Sequence, residues 1–507
     1  DPCLQPDHCQ QLRLPLIEEQ EARGEHRIKN RLWRRVLEEE LPEVAVIREA
    51  IVAARSGEDQ APRRDHLRRR RHPLYRLVEV LIERIAAVGR DDDWKRLLGM
   101  DGFHCQLPPD DPNTAYVEGQ YGRPYRVDLR TMKAVSIRPR TNGSKNDWRF
   151  NWSTPLLLSP HDSQTLYFGG NVVFRSTDRG QSYRVISPDL TRGELARTYT
   201  HSGHNLTALS ESPLVRGLLF AGSDDGRLHM TKDGVHWEEL TDRLPGVPTM
   251  PPGATASAQV TRIEPSPTDA KTFYVALDRR RQDDTSPQLF RTRDGGRTFD
   301  RIVSGLPKSG TIHVVRADLR NPDLFFVGTE FGLYVSFDGT FSWQRLECGL
   351  PPVAVHDLTI HPTERELVIA THGRGIWVMD IAPLQELTVK RRSEKVSLFV
   401  PRPAVPARQP AKLPVNSFAG QNPPTGMRLT YRLGVDLKVP GTLEVRTKSG
   451  EVVRQAKTAQ TAGLHVVGFD AKDLPAGEYT ARLTVGTITR EQRITVPAVN
   501  SAKAVEE

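Results

Sequence analysis

The chain has 507 residues, of which 37% are hydrophobic and 26% charged, and its formal net charge is +8 at pH 7. This length exceeds one ordinary hydrophobic core and predicts two or three domains, or one large repeat domain. No apolar run approaches the roughly 20 residues of a membrane-spanning helix. The modest charge gives little support to nucleic-acid binding, and the four cysteines lack metal-ligand spacing. We therefore expect no membrane span, no specific nucleic-acid partner, no metal and no cofactor.

Residues 1–90 differ from everything that follows them. Apolar residues recur at helical spacing in 32–51 and 74–88, and an arginine-rich run, 63–71, lies between these stretches. We predict an atypical segment that is partly helical or disordered, and interpret the arginines as a solvated linker rather than as an anion-binding patch. Whether 1–90 is a native domain is left open.

From residue 91 the sequence predicts short strands and turns. Six units share an inner run, a corner that contains proline and a second β run. The second runs are 114–118, 165–169, 218–222, 272–277, 324–328 and 366–371. Proline at the corner ends one strand before the next begins. Each unit holds about four strands and no helical period, which favours antiparallel sheets over parallel crossover units.

A hairpin motif follows the second run in four of the units. In 289–299 an apolar strand end precedes Asp294-Gly295-Gly296 and an aromatic restart, and versions of it recur in 174–183, 230–237 and 334–343. Asp and Gly in such turns tolerate positive φ and bond their own backbone. We interpret the aspartates of this motif as structural rather than catalytic: Asp178, Asp233, Asp294 and Asp338.

The repeat and the later alternation predict a mainly β protein. Repeats of four short strands bury both sheet faces only against neighbouring units, so 91–388 should form a β-propeller with six or seven blades. A proline-rich linker is expected at 389–424. Five or more alternating strands predict a small immunoglobulin-like β-sandwich over 425–497, with a polar tail at 498–507.

The hairpin motif resembles the Asp-box, or bacterial neuraminidase repeat, of sialidases, xyloglucanases and sortilin-type propellers. Longer phrases, such as 149–152, 328–336 and 371–378, look like a bacterial group of sortilin-like (VPS10-type) propeller proteins that are often labelled glycosyl hydrolases. The resemblance implies a secreted, periplasmic or cell-surface protein. Members of that group carry another propeller half upstream, so a second propeller absent from this chain is an expected partner.

Candidate site residues lie where the inner strands begin, because propeller loops converge there on a central channel. One register position, found by counting back six residues from each corner, holds Phe103, Thr154, Thr207, Thr261, His313 and His356. The candidate ligand-binding residues at or near this level are His104, Trp152, His204, Arg262, His313, His356 and Arg374. A tether between Glu330 and Arg374 is the alternative to a binding role for that pair.

For catalysis the candidate carboxylates are Asp101, Asp357 and Glu330, but the sequence cannot pair any two of them. We therefore expect a binding or scaffold protein that recognises a peptide or glycan at the propeller face, and lean away from an enzyme. The alternative is a glycoside hydrolase of the xyloglucanase-like Asp-box type acting on a polysaccharide. Fold alone does not separate these functions.

Overall fold

The computed structural model describes residues 97–140, 148–193, 204–247, 258–405 and 426–498. The predicted helical segment 1–90, most of the proline-rich stretch and nearly all of the predicted tail lie outside these residues. The described chain is mainly β, as predicted, and its first 23 strands form six antiparallel sheets.

The six sheets follow one another along the chain, and each runs from an inner to an outer strand. The first two are β1–β4 (Gly102–Gln106, Thr114–Gly119, Arg123–Asp128, Lys133–Ser136) and β5–β8 (Leu156–Leu158, Leu166–Gly169, Val173–Ser176, Arg184–Val185). The next two are β9–β12 (Leu206–Glu211, Leu219–Ser223, Leu228–Thr231, Trp237–Glu239) and β13–β16 (Gln259–Pro265, Phe273–Asp278, Gln288–Thr292, Asp300–Arg301). The last are β17–β20 (Ile312–Ala317, Phe325–Thr329, Gly332–Ser336, Gln344–Arg345) and β21–β23 (Val355–Ile360, Glu366–Thr371, Ile376–Asp380). Short 3-10 helices span Thr241–Arg243 and Arg280–Gln282. Each second strand lies within one residue of its predicted run.

The sheets pack face to face as the blades of a propeller. Phe220 of the third blade lies 4.5 Å, between ring centroids, from Phe273 of the fourth, and Tyr274 of the fourth lies 5.0 Å from Phe325 of the fifth. The inner strands β9, β13, β17 and β21 pack side by side around the axis. Since burial of one such aromatic ring contributes about 1.5–3 kcal/mol, the blades are stabilised mainly by their neighbours. The propeller prediction is confirmed, and the structure describes six of its blades.

The sixth blade continues into a second module. After β23 come α1 (Ala382–Gln385) and α2 (Val389–Ser393), and Phe399 and Leu464 pack with Trp377 in one buried cluster. Arg402 donates to Asp380 from Nε, at 2.8 Å. Hydrophobic and ionic contacts therefore join this module to the last blade.

The second module is a sandwich of two antiparallel sheets. One has the order β24-β25-β28 (Val396–Leu398, Met427–Leu433, Gly463–Phe469), and the other has the order β27-β26-β29-β30 (Val452–Lys457, Thr442–Arg446, Gly477–Val485, Ile488–Val496). Helix α2 and strand β24 lie within the stretch that was predicted to be a linker. Strand β24 belongs to the sandwich, because Val396 and Leu398 are buried in its core. The hydroxyl of Tyr479 donates to the carbonyl of Pro475 at 2.8 Å, a bond typical of immunoglobulin-like sandwiches, whose assignment here stays a prediction. In the described part of the chain, no helix is long and apolar enough to span a membrane.

Candidate functional site

The inner strands surround a central channel of about 700 Å³. Five of the six residues at the predicted register position line it, and the sixth, Thr154, is instead buried and donates to the carbonyl of Asn151 at 2.8 Å. The lining residues at this position are Phe103, Thr207, Thr261, His313 and His356. The channel mouth at this end is the candidate site.

A β-bulge explains why this position faces the channel. In β13, Val260 pairs with Leu277 and Arg262 with Ala276, so Thr261 is left without a cross-strand partner. The same register shift occurs in β1, β9, β17 and β21. A bulge adds one residue to a strand and re-aims its side chain. The count from the proline corners therefore located a repeated backbone feature.

Two of the bulge residues fasten one blade to the next. The hydroxyl of Thr207 donates to the carbonyl of Val260 at 2.8 Å, and that of Thr261 donates to the carbonyl of Ile312 at 2.9 Å. Each bond joins the inner strands of adjacent blades. Phe103, His313 and His356 are consequently the bulge residues whose side chains remain for other contacts.

Deeper in the channel, four charged side chains from three blades form one network. Arg262 donates to Asp357 at 2.6 Å, and Arg316 donates to both Asp357 at 3.2 Å and Glu264 at 2.8 Å. Arg316 also donates to the carbonyl of Leu358 at 2.6 Å. Desolvation would raise the pKa of Asp357, but the two guanidinium groups hold it below its ordinary value. Two positive and two negative charges thus cancel within the channel.

His104, on β1 of the first blade, faces this network. Desolvation, together with the positive charges of Arg262 and Arg316, lowers the pKa of His104 to about 4, although Asp357 acts in the opposite direction. The imidazole is therefore neutral at pH 7, and it offers one donor and one acceptor to the channel.

Histidines of the fifth and sixth blades form a stack at the mouth. The rings of His313 and His356 lie 4.2 Å apart, and those of His356 and His372 lie 5.2 Å apart, with 25° between the planes in both pairs. His313 Nε2 lies 2.9 Å from Glu330, which Arg280 approaches to 3.5 Å. Desolvation lowers the pKa of His313 despite this carboxylate. The partners of Glu330 are thus His313 and Arg280 rather than Arg374, which lies exposed in the β22–β23 turn.

Phe103, which lines the channel, also belongs to an aromatic corner with Tyr121 and Trp152. Trp152 contacts Tyr121 at 4.8 Å and Phe103 at 6.3 Å between ring centroids, both edge to face. Phe103 is 40% exposed and Trp152 is 37% exposed. Tyr121 was not predicted from the sequence; its place before Gly122, in the turn after β2, was the available signal.

Two further predicted residues make local contacts beside the mouth. His204 is buried, with Nδ1 3.2 Å from a carboxylate oxygen of Asp225. The backbone N–H of Asp101 donates to the side-chain oxygen of Gln120 at 2.9 Å, and the N–H of Gln120 returns a bond to the carbonyl of Asp101 at 3.1 Å. These contacts fix the loops that enter the first and third blades.

The hairpin aspartates bond to their own turns. Asp294 accepts from the hydroxyl of Thr292 at 2.8 Å and from the N–H of Thr298 at 3.0 Å, while Thr292 accepts from the N–H of Gly296 at 3.0 Å. Hydrogen bonds from Thr298 lower the pKa of Asp294. Asp178, Asp233 and Asp338 accept comparable bonds from their turns.

Two carboxyl groups with a clearly raised pKa lie outside the channel lining. Desolvation raises the pKa of buried Glu118 to about 9, and the nearby N–H groups of Thr154 and Gly122 offset only part of this effect. Desolvation likewise raises the pKa of Asp224 to about 7, and this group accepts from the N–H of Asn205 at 2.9 Å. Among the residues that the structure describes, no group of three or more His, Cys, Asp or Glu could hold a metal ion.

No protein-family model and no curated protein matches the chain. Solved structures with a similar fold include PorZ of Porphyromonas gingivalis, described as a bacterial surface component of the type-IX secretion system, at 12% identity and TM-score 0.42, covering 78% of this chain and 52% of PorZ. The GH74 xyloglucanase of Xanthomonas campestris matches at 16% identity and TM-score 0.42, covering 79% of this chain and 67% of the xyloglucanase. YCF48 bound to a D1 peptide matches at 16% identity and TM-score 0.28, covering 53% of this chain and 90% of YCF48. This chain thus spans about half the length of PorZ, and the likeness concerns fold class alone.

Proposed function

We propose that this chain is an exported binding or scaffold protein that holds a peptide or a glycan at the mouth of the propeller channel. The observation that carries this proposal is the state of the channel carboxylates. Asp357 and Glu264 are paired with arginines, and Glu211 accepts from the N–H of Gly217 at 2.8 Å. A binding site needs such fixed groups, whereas hydrolysis needs a free acid.

Glycoside hydrolysis normally uses two carboxyl groups about 5–9.5 Å apart, one of which has a raised pKa. Glu118 and Asp224 have raised pKa values, but neither is among the residues that line the channel. Asp357 lines the channel, but its pKa is lowered. Hydrolysis by a xyloglucanase-like mechanism is therefore the alternative function that the experiment must distinguish from binding.

The wider setting of the protein is proposed on the same sequence resemblance. Membership of the sortilin-like group, a location outside the cytoplasm and a second propeller as partner follow from the hairpin motif and the longer matching phrases. They are independent of the channel geometry and are tested separately, by locating the protein in its native cells and by co-purification.

The test is a screen of the purified chain against a glycan array and a peptide array, followed by calorimetric titration and a reducing-sugar assay. We expect saturable binding without product release. Replacing His356 with Ala should weaken binding about tenfold, because its ring lies in the mouth. The matched control, His236→Ala, removes an exposed histidine from a peripheral hairpin and should leave binding unchanged.

Turnover of a polysaccharide that is lost in Asp357→Asn or Glu330→Gln would overturn the binding function in favour of the hydrolase. Binding that responds to His236→Ala and not to His356→Ala would place the ligand away from the channel and would also overturn the proposal.

A further inference from the structure

We infer that the end of the channel opposite the mouth is a second binding site, and that it takes a tyrosine side chain. We call it the corner end, because it lies where the inner strands reach their corners. Four residues of the channel lining define it: Pro160, Pro213, Pro267 and Leu319. This site goes beyond the proposed function, since a ligand held at the mouth does not need it.

The direction of the inner strands places the corners away from the mouth. Strand β13 begins near its bulge residue, Thr261, and runs toward Pro267 in the following corner. Six residues of extended chain span about 20 Å, so the two sites are separated along the channel axis. Glu264 and Arg316 of the charged network lie between them. The corner end is therefore distinct from the mouth.

An apolar rim surrounds the corner end. The second to fifth blades contribute one residue each, at equivalent places in their corners, and all four residues line the channel. Pro160, Pro213 and Leu319 are exposed, and Pro267 is half-buried. Three pyrrolidine rings and one isobutyl group thus present C–H groups to the channel. The electron-rich face of an aromatic ring packs well on such a surface.

The rim is held rigidly by its own backbone. In each corner, the buried polar residue before the rim residue accepts a hydrogen bond from the N–H of the residue after it. The acceptors and donors are Ser159 and His161, Ser212 and Leu214, Ser266 and Thr268, and Asp318 and Arg320, at 2.9–3.2 Å. Proline also fixes φ at three of the four rim positions. A preformed surface of this kind loses little conformational entropy when a ligand binds.

The charged groups near the corner end already have partners. Arg316 donates to Glu264 and to Asp357. Glu211 is 5% exposed and accepts from the N–H of Gly217. A charged ligand group would lose its hydration here without gaining an opposite charge, so the site favours an uncharged group.

One polar side chain of the channel is available to a ligand. Gln106, at the end of β1, lines the channel at the register position of Glu264 and Arg316, three residues after the bulge position. Its half-buried amide makes no hydrogen bond to any residue that the structure describes. An amide both donates and accepts, which matches a phenolic hydroxyl, whereas an indole only donates. A glycan would need partners for several hydroxyl groups. An apolar rim with one amide therefore fits tyrosine.

The experiment measures binding of the N-acetyl amides of tyrosine, phenylalanine and leucine to the full chain, by saturation-transfer NMR and titration. The tyrosine amide should bind most tightly. Leu319→Ala should weaken its binding about fivefold, because this variant removes apolar surface from the rim. Leu214→Ala is the matched control: Leu214 is 46% exposed, beside 49% for Leu319, and is not among the residues that line the channel. The control should leave binding unchanged.

Gln106→Leu separates the hydrogen bond to the hydroxyl from the packing of the ring. It should weaken binding of the tyrosine amide about fivefold and should not weaken binding of the phenylalanine amide. The new side chain is similar in size to the old one, so this variant keeps the inference testable if Leu319→Ala does not fold.

The inference is overturned if none of the three amides binds, if the tyrosine and phenylalanine amides bind equally, or if Leu319→Ala and Leu214→Ala have equal effects. Binding that His356→Ala weakens and Leu319→Ala does not would place the phenol at the mouth, which overturns the inference and leaves the proposed function standing. Tyrosine binding at the rim of a chain whose mouth binds no peptide or glycan would support the inference and overturn the proposed function.

Discussion

Replacing Asp357 with Asn should destabilise the propeller measurably, because this carboxylate joins three blades. It accepts from Arg262 at 2.6 Å and from Arg316 at 3.2 Å. Arg316 keeps Glu264 after the substitution. Arg262 loses its carboxylate partner, and its Nε already has no hydrogen-bond partner within the described residues. The variant therefore leaves one guanidinium in the channel without a neutralising charge.

The size of the destabilisation depends on how exposed the paired side chains are. Removal of one partner from a fully buried pair costs about 3–5 kcal/mol, while an exposed pair contributes about 0–1 kcal/mol. The side chain of Asp357 is 47% exposed, and those of Arg262 and Arg316 are 22% and 19% exposed. We expect a loss of about 2 kcal/mol in the free energy of unfolding, or, for a propeller of roughly 300 residues, a fall in Tm of about 3 °C.

The assay is calorimetric and chemical unfolding of Asp357→Asn beside Glu491→Gln. Glu491 is 46% exposed and pairs at 2.5 Å with one arginine, Arg482, on the sandwich. This control should lose less than about 1 kcal/mol. Equal losses in the two variants would refute the reasoning that the channel network couples the blades.

The same pair gives a pH prediction with a definite sign. Because the folded-state pKa of Asp357 is lowered, its contribution is present above the unfolded pKa of about 4 and is lost as the pH falls through the folded value. The difference between wild type and Asp357→Asn should therefore shrink on acidification below about pH 4. A difference that grows on acidification would contradict the charge assignment.

Two other predictions concern buried positions. Because burial raises the pKa of Glu118 to about 9 in the folded chain, only the unfolded state ionises this group between about pH 4.5 and pH 9, so the stability of the wild type falls as the pH rises through this range. The Tm of Glu118→Gln minus that of the wild type should therefore increase from about pH 5 to pH 9. A Tm difference that stays constant over this range would count against a buried, protonated acid. Thr340 has a φ of +75°, where the equivalent Gly296 has +83°, and its hydroxyl accepts from Arg291 at 2.9 Å. In Thr340→Asn the new side chain tolerates this φ and keeps an acceptor, so the free energy of unfolding measured with denaturant should increase by about 0.5–1 kcal/mol. Thr340→Val loses the acceptor and should be less stable than the wild type.

Local patterns predicted much of the propeller because each blade is built from contacts close in sequence. The proline corners located the second strand of every blade to within one residue. Counting from them also located the bulges of five blades, since those blades repeat the same short path from the channel to the corner. The sandwich was less accessible, because β24 is separated from its partner β25 by residues 399–426 and sits in a stretch whose prolines indicate linker.

The side-chain partners at the mouth could not be predicted in the same way. Arg262 and Asp357 are 95 residues apart, and a channel allows either of them several partners from opposite blades. Glu330 and Arg374 follow equivalent strands of neighbouring blades, which suggested a tether. Instead, the bulge at His313 in β17 places its ring beside Glu330 of the same blade.

The sequence by itself determined the repeat, the blades and five of the residues that reach the channel, because these depend on turn chemistry and on alternation within about 50 residues. Only the tertiary structure decided which of those residues are neutralised and which remain exposed. Those properties depend on the distances between blades that are far apart along the chain. Tyr121 shows this most clearly: it lies in an ordinary turn of the first blade, and only the packing of Trp152 from the following connection gives it a place in the candidate site.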